Sequence, residues 1–188
     1  MDQTSPSTLI RWHYLWYAGA AVAVMVFSII NGHLWLLNFV HVFCGLLWTG
    51  IDLFMGFLLG PILRSVDVSA RKAVLLLLTP RTLFLMPTLS IITGTTGWYI
   101  ARDMGFTALP WPQYGWIAAA LTLVTLMTIQ GLGYLLPANL RVCLELQKDK
   151  PDNKRIAALT SHYFFAVALQ GVMQVITIIV MARLATGI

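Results

Sequence analysis

Asn38-Phe-Val-His41-Val-Phe-Cys44-Gly45-Leu-Leu-Trp48-Thr-Gly50-Ile-Asp52-Leu-Phe-Met55-Gly56 is apolar for most of its length, yet it carries an imidazole, an indole and a carboxylate. The run continues to Gly60-Pro61, long enough to cross roughly 30 Å of hydrocarbon as one helix. At about 100° per residue, His41, Trp48 and Asp52 fall within roughly 20° of one line, with Gly45 and Met55 about 40° off it. Lipid cannot solvate polar groups, so this face must look at protein, a cofactor or water. It is the first place to look for chemistry.

The rest of the chain reads the same way. Of 188 residues, 59% are hydrophobic and 10% charged, with a mean hydropathy of +0.79. Soluble domains carry about 25% charged residues, so this composition belongs to a membrane protein. The formal charge of +5 does not point to nucleic acid. Its lysines and arginines sit beside apolar segments, where they set topology and meet anionic headgroups. Cys44 and Cys143 are isolated from one another and from any CxxC or CxxCH motif. That excludes covalent c-type haem attachment and suggests neither a disulfide framework nor a zinc site. The first apolar run opens on Trp12, Tyr14, Trp16 and Tyr17 with no small-x-small cleavage site after it, and reads as a retained helix rather than a signal peptide.

Five spans follow, at about 12–31, 34–62, 73–101, 115–138 and 157–185, in one integral membrane domain covering 1–188. The fold class is therefore all-α, a bundle of five transmembrane helices. Pro80 and Pro87 predict a kink in the third span. Arg11, Arg64, Arg71, Lys72, Arg141, Lys148, Lys150, Lys154 and Arg155 fall on one side, against Arg102 and Arg183 on the other. The positive-inside rule places the amino terminus in the cytoplasm and the carboxyl terminus outside. Residues 106–116, rich in aromatics and proline, suit either a loop along the outer interface or a lid over a site opening there. The charge run 141–155 starts as a continuation of the fourth helix, breaks at Lys150-Pro151 and suits a solvated loop at the headgroups. Gly56 and Gly60, Gly94 and Gly97, and Gly131 and Gly133 suit close helix contacts in lipid.

Depth sorts the histidines. With Trp48 as the midpoint of its span, His41 lies roughly 10 Å toward the outside. His13 and His162 share a level about 12–13 Å toward the cytoplasm, and His33 is at the outer surface. A neutral imidazole on a buried helix face is a ready axial ligand for haem iron. His13 and His162 are either interfacial histidines or a pair that clamps one haem. His41 is the candidate ligand of another, with Met25, Met173 or Met181 as partner. Asp52 and Arg81 lie about 6 Å and 9 Å inward of their span midpoints. Opposite charges at matching depth on consecutive helices are expected to pair, as a structural bridge, a proton or anion site, or a clamp on a haem propionate. Gln130, Gln170 and Gln174 offer interhelical hydrogen bonds or a polar cavity for a quinone headgroup.

The pattern His41-Val-Phe-Cys-Gly-Leu-Leu-Trp48-Thr-Gly50, followed by Gly60-Pro61-Ile-Leu-Arg64, resembles a loose superfamily of small bacterial membrane proteins. It includes the copper-resistance protein D membrane domain and the HemJ-type protoporphyrinogen oxidase. The resemblance covers residues 34–100 and implies haem b at His41. The chain departs from the HemJ type in having a span ahead of the histidine helix, and the second functional residue of that type has no counterpart here. No methionine- or histidine-rich cluster favours copper transport.

These readings lead to a haem-b-binding redox protein of a bacterial inner membrane, exchanging electrons with quinone or a partner complex. His41 is its first ligand and the haem iron its metal, His13 and His162 are a second pair, and Asp52 and Arg81 supply charge balance. A non-catalytic subunit or scaffold of a larger complex is the alternative, and a small proton-coupled transporter using Asp52 a third. The sequence identifies no catalytic residue and leaves an oligomer open.

Overall fold

Gly32 reverses the chain. Its φ of 67° lies in the left-handed region, where its amide caps the carbonyl of Ile29, a conformation that glycine adopts without strain. The turn joins α1 (Tyr14–Asn31) to α2 (Leu34–Ser65), and α3 (Val68–Asp103), α4 (Tyr114–Leu146) and α5 (Asn153–Thr186) follow. The computed structural model describes residues 12–186; Arg11, the first of the topology arginines, lies outside the described residues. All five helices are long and apolar enough to cross a membrane, and no strand occurs among the described residues. The protein is a multi-pass membrane protein.

The helices run longer than the apolar spans because polar residues cap them. The Asp67 carboxylate accepts from the Ala70 amide at 2.9 Å and starts α3, an ordinary N-cap. Asp152 does the same for α5 through Lys154 and Arg155. Arg71 reaches back to the carbonyls of Leu63, Arg64 and Val66 and closes α2. Buried Glu145 holds Lys148 at 2.7 Å and Arg155 at 3.5 Å, so part of the expected solvated loop is tied to the bundle. Helix α3 continues through Pro80 and Pro87.

Four helices form a closed ring in which α2 packs on α3, α3 on α4, α4 on α5 and α5 on α2, while α1 lies outside in the groove between α2 and α3. Small residues set the tight seams. A Cβ on Gly56 would meet the Ala168 Cα at 2.5 Å, and one on Gly60 the Phe164 Cβ at 2.9 Å. Helices α2 and α5 therefore touch nearly backbone to backbone, as small-residue seams in lipid allow. Gly97 admits the His41 ring in the same way. Gly133 faces open space and has no such role.

Helix α1 measures depth. Its 18 residues span about 27 Å, whereas the 36 residues of α3 span about 54 Å. The ends remote from the basic loops are level, and Phe84 of α3 meets Trp12 and Tyr14 at 6.3 and 6.4 Å between ring centroids. The ring of four thus extends roughly 24 Å past the start of α1 on the face that carries the basic loops.

Candidate functional site

Asp52 is almost fully buried, at 1% exposure, and its partners come from α5. Gln174 Nε2 donates to Asp52 Oδ2 at 2.9 Å and Gln170 Nε2 to the same oxygen at 3.2 Å. The two glutamines are four residues apart and so share one helix face. The second carboxylate oxygen, Asp52 Oδ1, and the amide oxygens of the two glutamines, Gln170 Oε1 and Gln174 Oε1, are buried without a hydrogen-bond partner among the described residues. Three neighbouring acceptors without a donor are a departure from the rule that buried polar atoms are satisfied.

The expected Asp52–Arg81 pair does not form. Arg81 is exposed on the outside of α3, and its guanidinium donates to the Leu77 carbonyl in its own helix. Neighbouring Thr82 faces the ring interior at 5% exposure, so Arg81, about 100° away, cannot. Depth also changes. Arg81 sits below Phe84 and the Trp12–Tyr14 aromatics, at an interfacial level where a long cationic side chain needs no buried partner.

Asp52 opens onto a cavity inside the ring, lined also by Trp48 of α2, Ser90 and Thr82 of α3, Gly131 and Asn139 of α4, and Tyr163 and Gln170 of α5. Its volume is about 30 Å³, room for about two waters. A second cavity adjoins it toward the basic face, sharing Thr82, Asn139 and Tyr163 and adding Thr79 and Thr160. Asn139 Nδ2 donates to the Thr82 hydroxyl at 3.0 Å, joining α4 to α3 between the two spaces. Both π-helical turns lie here. One, Phe54–Leu59, begins two residues after Asp52; the other, Gly131–Leu135, borders the first cavity. Such turns recur at functional sites because they free backbone groups and re-aim side chains.

His41 stands apart from this cluster. Its Nδ1 lies 3.0 Å from the Thr93 carbonyl oxygen and 3.3 Å from the Thr96 hydroxyl. The Thr96 hydroxyl donates to the Ile92 carbonyl at 2.6 Å, and a carbonyl can only accept. In the neutral ring Nδ1 therefore carries the proton and donates it to Thr93, while Nε2 has no partner among the described residues. Metal-bound histidines are commonly oriented by such a carbonyl. His41 lines neither cavity, and Gly97 abuts its ring. These residues fit one axial ligand of a haem; of the candidate partners, Met25 packs with Val40 and Ile92, and Met173 against the cluster of Trp48 and Leu89.

His13 and His162 are not brought together. Both are exposed; His13 is on the α1 side of the molecule, against Tyr14, and His162 is on α5, with Nδ1 on the Ala158 carbonyl of its own helix. Helix α1 packs on α2 and α3, whereas α5 packs on α2 and α4. No group of three or more histidine, cysteine, aspartate or glutamate side chains that could hold a metal ion occurs among the described residues. The segment 104–113 between α3 and α4 lies about 20 Å along α3 from Ser90, the cavity residue of α3 nearest to it, too far to act as its lid.

Comparison with family models, curated proteins and solved structures returns no match.

Proposed function

We propose that this chain is a small proton-coupled transporter of the cytoplasmic membrane, working through reversible protonation of Asp52. One observation carries the reading: a carboxylate buried inside a ring of membrane helices has two amide donors and, among the described residues, no cation beside it. An isolated charge in such a place costs several kcal/mol. Structural carboxylates avoid that cost by pairing, as Glu145 does with Lys148 and Arg155. Asp52 has no such pairing among the described residues, so exchange of a proton is the chemistry that suits it. Of the residues lining the cavity, only Asp52 and Tyr163 are ionisable. The second cavity, about 10 Å³ with Thr79, Thr82, Asn139 and Thr160 in its wall, lies between Asp52 and the basic face, which the positive-inside rule assigns to the cytoplasm.

The test uses the purified chain in vesicles holding a pH-sensitive dye, with a membrane potential imposed by a potassium gradient. Proton movement is expected in the wild type and should fall at least tenfold in Asp52→Asn. Equal rates in wild type and variant, or none in either, overturn the reading. Recovery inside a larger assembly would then favour the scaffold.

A second reading rests on His41 alone. With Nδ1 held by Thr93, Nε2 is oriented as an axial ligand would be. The chain would then hold haem b at His41 and pass electrons to quinone or a partner complex. Bound haem supplies one-electron chemistry; the chain's part is to fix the imidazole through Thr93 and Thr96. A Soret band that persists through washing and is lost in His41→Ala supports it; a colourless, folded protein from haem-replete cells refutes it.

A further inference from the structure

The geometry points to a binding site for a small monovalent cation at Asp52, Gln170 and Gln174, competing there with the proton. This deepens the Asp52 reading and rests on it. Each glutamine turns its amide nitrogen to the same carboxylate oxygen, at 3.2 Å for Gln170 and 2.9 Å for Gln174. Each Oε1 is thereby directed away, and both, with Asp52 Oδ1, are left buried and unpartnered. The three side chains are 1%, 3% and 3% exposed, so bulk water does not satisfy them. Water, ammonium, hydronium or a metal ion could each serve these acceptors, and the buried Asp52 charge, with no cationic side chain beside it among the described residues, favours a cation over neutral water. The Gln170 oxygen faces the cavity side of the ring, where a Cβ on Gly131 would lie 3.8 Å from it.

Charge and size narrow the occupant. One carboxylate neutralises one positive charge, and calcium or magnesium would need more carboxylate ligands or an ordered water shell. The cavity at Asp52 and Gln170, which Gln174 does not line, is about 30 Å³, room for about two waters; it admits sodium, potassium or ammonium and no amine larger than methylammonium. Soft ligands are absent from the cluster, so copper and zinc are disfavoured. Proton and cation both neutralise Asp52, so each should displace the other.

The experiment follows thermal unfolding of the full chain in lipid nanodiscs against sodium, potassium, ammonium or choline chloride at fixed ionic strength, in mildly acidic and mildly alkaline buffer. One of the three small cations should raise the unfolding temperature saturably over choline, with at least tenfold more ion needed in acid. Asp52→Asn and Gln174→Leu should each abolish the ion-specific rise; Gln170→Leu serves if either fails to fold. An identical response to all four salts overturns the cation site. If Asp52-dependent proton movement survives that result, the transporter reading stands without it. If proton movement is also absent, both fail.

Discussion

At the scale of single residues, partner identity separates the carboxylates. Asp67 sits in the short loop before α3, where the Ser69 hydroxyl, at 2.6 Å, and then the Ala70 amide hold its carboxyl below the usual carboxylate range. A value depressed by folding contributes stability above the unfolded value and loses it as pH falls through the folded one. Asp67→Ala should therefore lower the unfolding temperature at neutral pH, with the gap to wild type closing in acid. Thermal scans at the two pH values check this. Asp52 has no cationic side chain beside it among the described residues. Asp52→Asn keeps the shape and removes the charge, so the variant should unfold no earlier than wild type at neutral pH, since replacing an uncompensated buried charge is often neutral or stabilising. A marked loss of stability would show instead that the carboxylate is structural.

At the scale of helices, glycine separates seams from surfaces. Gly56→Ala sets a Cβ 2.5 Å from Ala168 Cα, so α2 and α5 must part; overpacking of this kind costs about 1–3 kcal/mol. Gly19→Ala on α1 meets nothing within 4 Å and should be neutral or stabilising by up to about 1 kcal/mol, the helix preference of alanine over glycine. Unfolding both variants in the same detergent series gives the comparison. The helices themselves were legible because lipid demands unbroken apolar runs. Their ends were not, because capping by Asp67, Asp152 and Arg71 is local side-chain geometry. The inward face of α2 was legible from the alignment of Trp48 and Asp52, both buried as expected. The partner of Asp52 was misassigned because matching depth says nothing about azimuth: Arg81 is one residue from inward-facing Thr82 and points elsewhere. The available signal was Gln170 and Gln174, four apart and polar in the middle of an apolar helix. Nothing in the pattern could show that both would turn to one carboxylate.

At the scale of the whole molecule, the ring of four helices and the peripheral α1 have different lengths, and the difference positions the site. Asp52 is 18 residues into α2, level with the first turn of antiparallel α1. It therefore lies at the basic-face end of the hydrocarbon rather than at its centre. Single cysteines placed in a cysteine-free background test the placement. Ser69→Cys and Asn153→Cys should react only when a membrane-impermeant maleimide reaches the cytoplasmic side, and Gln113→Cys should react in intact cells. Labelling of all three from outside would overturn the assigned orientation. The most direct test of the whole account is the infrared difference spectrum between acid and alkaline pH, recorded for wild type and Asp52→Asn in the same lipid. A carboxylic-acid carbonyl band shifted to the frequency of an apolar environment, present in acid, reversed in alkali and missing from the variant, is the predicted result. Superimposable spectra would contradict the claim that Asp52 exchanges a proton.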